Sequence, residues 1–161
     1  MFNRIFPKQI DNDYRGHWLA IWLFLVVVLS KLAMGANSIF NTRYVVTTAD
    51  NIPLDSFNAG GAEAVVSLFA LFGLSQLVLA LQSLVVLIRY RAMIPFMYLL
   101  LLIEHGGRRV LVLVNPIDRA EALPIGLYIN LAILAVLLIG FVLSLLNKPG
   151  SPRRALAEST R

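Results

Sequence analysis

The chain has 161 residues, 58% hydrophobic and only 14% charged, with a net charge of +5 and no cysteine. Soluble domains average about 25% charged residues, so a water-soluble catalytic domain is excluded as the main body of the chain. The missing cysteine excludes disulfide exchange, covalently attached haem and iron–sulfur ligation.

Residues 1–16 are polar and mixed in charge, and are expected to form a short cytoplasmic segment. His17, Trp18 and Trp22 then mark the boundary of a first apolar span, 18–40, at the level where amphipathic rings are favoured. A basic start and an apolar run ahead of Ala33-Met34-Gly35-Ala36 also fit a cleaved leader, but Lys31 interrupts the run just before the cleavage point. The loop 41–61 contains a β-like run over 43–48, turn signals at Asp50-Asn51 and Pro53, and a closing Gly60-Gly61 pair. A loop of this length is expected to act as a lid or a docking surface.

A second span is predicted over 62–88, with Glu63 favourably placed at its N-terminus. The Arg89-Tyr90-Arg91 turn leads to a third span, 93–114, with Pro95 in its first turn. That span reads Glu104-His105-Gly106-Gly107-Arg108-Arg109 before turning apolar again, so it either crosses as one helix or breaks at the glycine pair. A fourth span, 124–146, is cleanly apolar apart from Asn130 and Ser144, and a basic tail over 147–161 is expected to be disordered in the cytoplasm. Each span has the ~20 residues a hydrocarbon core requires.

Of the 14 Lys and Arg residues, nine fall on the side of the N-terminus, four on the other and Lys31 within a span, which orients both ends to the cytoplasm. The expected fold class is an all-α integral membrane four-helix bundle, N-in/C-in, formed by residues 17–146. It is expected as a multi-pass protein of the inner (plasma) membrane.

Polar residues inside spans are costly and usually face a partner or a cavity. At ~1.5 Å per residue, Lys31, Gln76, Glu104 and Arg108 fall at about the same depth, roughly 16–22 Å from the inner ends, slightly outside the midplane. Glu104 and Arg108 are four apart and share a helix face. Gln76 lies on the small-residue stripe Gly73-Gln76-Ala80-Ser83, and Lys31 aligns with Gly35 and Ser38. His105 points about 100° away from Glu104, and Asn130 lies nearer the outer surface in line with Gly126.

The expected ligand-binding set is therefore Lys31, Gln76, Glu104, Arg108, Asn130 and His105, with Glu104 and Lys31 as the acid–base pair if there is catalysis. Bis-histidine haem fails, because His17 and His105 are separated by about 18 Å in depth. One histidine and one carboxylate make no metal set, and no serine triad converges. No cofactor is expected.

The layout resembles the small four-helix bacterial membrane proteins grouped as DoxX-like. The likeness lies in Lys31-Leu32-Ala33-Met34-Gly35 ending span one, a long outer loop, a small-residue second span, and Gly107-Arg108 in the third. The resemblance implies the fold; some members are linked to quinone- or thiol-related oxidoreductase systems, and without cysteine direct thiol chemistry has no residue to use here.

Three functions remain open. The first is an intramembrane site for a lipophilic or anionic-headed small molecule, lipid or quinone-like. The second is a non-catalytic accessory subunit of a larger membrane complex, and the third an intramembrane acid–base isomerase or cyclase. The expected partners are the lipid bilayer, such a small molecule, and another membrane protein or a second copy, but not nucleic acid.

Overall fold

The structure, a computed structural model, describes residues 2–115 and 125–146. The tail expected over 147–161 lies outside the described residues. Among the described residues there are helices and no strand. Among the described residues, three helices are long and apolar enough to cross a membrane: α2 (Trp18–Phe40), α4 (Ala59–Arg89) and α6 (Ile125–Leu145), with the short α1 (Phe2–Ile5) before them and α3 (Thr42–Tyr44) between the first two. The remaining long helix, α5 (Ile94–Val114), has 21 residues but carries Glu104, Arg108 and Arg109. It runs unbroken through Gly106-Gly107.

The caps explain where the helices begin. His17 Nδ1 accepts from the Leu19 amide at 3.2 Å to open α2. Asn58 Oδ1 accepts from the Gly61 amide at 2.7 Å, so α4 starts at Ala59, three residues ahead of the expected boundary, and Gly60-Gly61 form its first turn instead of closing the loop. An asparagine that satisfies orphan amides sets a helix start more firmly than an acidic residue in the following turn.

The run 43–48 is helical, a correction to the β-like expectation. α3 follows α2 after Asn41, whose backbone leaves the helical region, and a π-helical turn over Val45–Ala49 comes next, closed by the Asp50 amide donating to the Val45 carbonyl at 3.1 Å. The Thr42 hydroxyl donates back to the Ser38 carbonyl at 2.8 Å and the Thr47 hydroxyl to that of Arg43 at 2.9 Å, which keeps the chain coiled. A β-branched run becomes a strand only beside another strand. Val46, Ile52 and Leu54 then pack on Ala62, Val65, Val66 and Phe69, folding the loop onto α4.

α2 is central, packed along its length against α4 and on another side against α6; α5 lies on α6 and touches α4 only sparsely. Small residues bring α2 and α4 together. A Cβ on Gly73 would stand 2.7 Å from Ser38 Cβ, and one on Gly35 2.9 Å from the Leu77 amide nitrogen. With lipid tails as apolar as leucine, such close packing, not hydrophobic burial, holds membrane helices together. The main apolar core gathers Phe24, Val27 and Val28 of α2 with Tyr98 and Leu101 of α5 and Leu137 of α6. The Phe24 and Tyr98 rings meet at 5.0 Å, and the Tyr98 hydroxyl donates to the Ala20 carbonyl at 2.7 Å. Large apolar side chains such as Leu71, Leu81, Val85 and Ile139 face outward, as a lipid-bathed surface requires.

One end of the bundle is tied by the N-terminal segment. Arg4 donates to the Leu145 and Leu146 carbonyls, both at 2.8 Å, the His17 amide to Leu143 and the Ala92 amide to Asp11. The N-terminus, the α4–α5 turn and the end of α6 therefore share one end, and the loop 41–58 lies at the other.

Gly106 and Gly107 differ from the packed glycines: a Cβ on either meets nothing within 4 Å. Gly106→Ala and Gly107→Ala should therefore leave stability unchanged or raise it by up to about 1 kcal/mol each, through helix propensity. Thermal unfolding in detergent reads this directly; a loss at either position would show that a partner helix approaches there.

Candidate functional site

A connected run of polar groups links three helices. Lys31 of α2 is 0% exposed, and its Nζ donates to Glu104 Oε2 of α5 at 2.5 Å. Glu104 Oε1 lies 3.7 Å from Arg108 Nη2, one turn further along α5. Arg108 Nη2 donates to His105 Nδ1 at 2.9 Å, and His105 Nε2 donates to the Asn130 carbonyl of α6 at 3.1 Å. A guanidinium has no acceptor, so these two bonds fix the Nε2–H tautomer of His105. The Arg108 guanidinium also sits 4.5 Å above the Phe72 ring of α4, a cation–π contact that bridges α4 and α5 where their backbones barely meet.

This run borders a cavity of about 410 Å³. Its walls combine apolar surface from Phe69, Phe72 and Leu134 with polar groups from Asn37, Gln76, His105, Arg108, Arg109 and Asn130, and the loop closes one side with Val45, Ala49, Asp50 and Ile52. Ligand sites typically have such a composition, with volumes of roughly 300–1,000 Å³. Gln76 is only 3% exposed, and its Nε2 is buried with no hydrogen-bond partner; Asn130 Oδ1 is buried and equally unpartnered. Buried polar atoms are nearly always satisfied, because leaving one unpaired costs about 1–3 kcal/mol. Both residues belong to the lining of the same cavity.

The six sequence-derived residues thus divide into two groups. Gln76, His105, Arg108 and Asn130 line the cavity. Lys31 and Glu104 do not; they are bonded to each other behind the wall and reach the cavity only through Arg108. His105, read from its helical phase as turned away from Glu104, is 3% exposed and joins α5 to α6.

Arg109, Phe72 and Asp50 line the same cavity and were absent from the expected set. Phe72 lies four residues before Gln76 and Arg109 four after His105, so helical phase could have found both. Asp50 comes from the irregular loop, where no periodicity operates. No protein-family model, curated protein or solved structure matches this chain.

Proposed function

We propose that the protein is a small-molecule-binding membrane protein that holds a polar-headed lipophile in the cavity at the loop-bearing end of its bundle. On this reading α5 also spans, its charges turned toward the polar run. The bundle is N-in/C-in in the inner membrane of a bacterium, and the chain is DoxX-like in architecture. The shared position of the N-terminal segment and the end of α6 supports an even number of crossings. The positive-inside distribution supports the orientation.

The observation that carries the reading is a pair of buried, unpartnered amide atoms, Gln76 Nε2 and Asn130 Oδ1, on residues that line one largely apolar cavity. A lipophile with a hydrogen-bonding head offers partners at that wall, and its apolar part lies against Phe69, Phe72 and Leu134. The acid–base reading is less well supported. Glu104 is held between Lys31 and Arg108 and lines no part of the cavity, so it has no reacting atom within reach.

Native mass spectrometry tests the proposal. The wild-type chain from mild detergent should carry an adduct of constant mass. Asn130→Phe, which fills the cavity from its α6 wall, should fly bare while keeping a helical circular-dichroism spectrum. A bare wild-type chain, or an adduct unaffected by Asn130→Phe, would count against binding at this site.

A further inference from the structure

We infer that the head of the bound molecule is a monoanion, a carboxylate or a phosphodiester, on a single chain, gripped by Arg109, Arg108 and the Gln76 amide. This rests on the proposal that the cavity holds a lipophile, and it adds the chemistry of the head.

Among the described residues that line the cavity, Arg108 and Arg109 are cationic and Asp50 is anionic. Glu104 is already engaged by both Lys31 and Arg108. Arg109 lines the cavity and makes no ion pair among the described residues. An anion brought into the cavity gives a guanidinium on its wall a counter-charge, and such pairing is stronger in a low-dielectric setting than in water. A neutral quinone or alcohol head gives Arg109 no counter-charge, and a zwitterion brings its own cation.

The donor set agrees. Gln76 Nε2 is a buried donor without an acceptor, and Arg108 and Arg109, both on the cavity lining, carry forked donors that match the paired oxygens of a carboxylate or phosphate. Phe72 supports the Arg108 plane from one side. Asn130 fits as well, because turning its amide by 180° exchanges oxygen for nitrogen and presents one more donor.

The tail follows from size and exposure. A volume of about 410 Å³ is near the small end for ligand sites, enough for a head and part of one chain. Leu68, 64% exposed, together with Ile129 and Leu131, belongs both to the cavity wall and to the outer surface. The rest of the chain leaves sideways past these residues into the acyl region.

The experiment uses the full chain, stripped of bound lipid in an uncharged detergent at mildly alkaline pH and titrated with three probes of equal chain length. These are palmitate, palmitoyl lysophosphatidylglycerol and hexadecanol. At least one anion should bind tenfold or more tightly than the alcohol, and the better anion tells carboxylate from phosphodiester. Arg109→Gln, at a partly exposed position where folding should be unaffected, should erase that preference. Equal binding of all three, or a preference that survives Arg109→Gln, overturns the anion inference and leaves the lipophile site standing. Failure of every probe to bind, with no lipophile on the protein as purified, overturns both.

Discussion

Glu104→Gln should destabilise the protein by about 3 kcal/mol or more, the range found when one member of a buried ion pair is removed. The substitution leaves the ammonium of Lys31, 0% exposed, and the guanidinium of Arg108 without their shared carboxylate. Lys31→Met should cost less, because Glu104 keeps Arg108 at 3.7 Å. The double substitution Lys31→Met with Glu104→Gln should be more stable than Glu104→Gln alone, since no buried ammonium then remains. Equilibrium unfolding of the four proteins in mixed micelles gives the coupling energy; strictly additive losses would mean that the pair contributes nothing jointly.

The second large effect is expected at Gly140. A Cβ there would fall inside contact distance of the Tyr98 hydroxyl and ring carbons. Tyr98 is fully buried and holds α5 to α2 through its bond to the Ala20 carbonyl and its contact with Phe24. Gly140→Ala must displace that ring, at a cost of about 1–3 kcal/mol for overpacking, with the lost hydrogen bond in addition. Because ring carbons collide as well as the hydroxyl, adding Tyr98→Phe should not restore stability, whereas adding Tyr98→Leu should restore part of it. Rescue by Tyr98→Phe would show that only the hydroxyl is crowded. Unfolding temperatures of the three variants against wild type decide this.

The helical character of the chain and the membrane-length apolar helices α2, α4 and α6 were legible because length and hydropathy are local properties. The meeting of Lys31, Glu104 and Arg108 was legible from depth and helical phase together. Antiparallel helices anchored at one end bring equal depths to one level, and four-residue spacing puts Glu104 and Arg108 on one face.

What lay beyond the sequence was whatever depends on lateral arrangement. Depth cannot distinguish a residue on a cavity wall from one behind it, so Lys31 and Glu104 were grouped with Gln76 although only Gln76 reaches the cavity. Nor does phase on α5 alone reveal that α6 passes close enough for the Asn130 carbonyl to receive His105. In the loop, the β-branched run gave a strand signal, but threonine hydroxyls bonding back to carbonyls and the absence of a pairing strand among the described residues made it helical.

The central claim is that a molecule from the membrane resides in the cavity beneath the loop 41–58. Photo-crosslinking tests it most directly, with a diazirine-bearing lipophile applied to the protein in membranes and the labelled residues mapped by peptide mass spectrometry. Labelling should concentrate on the cavity walls, at Phe69 and Phe72 of α4 and Leu134 of α6, and should fall when unlabelled membrane extract competes. Labelling spread over the outward faces, at Val85 and Ile139 as strongly as at Phe72, and indifferent to competition would contradict it.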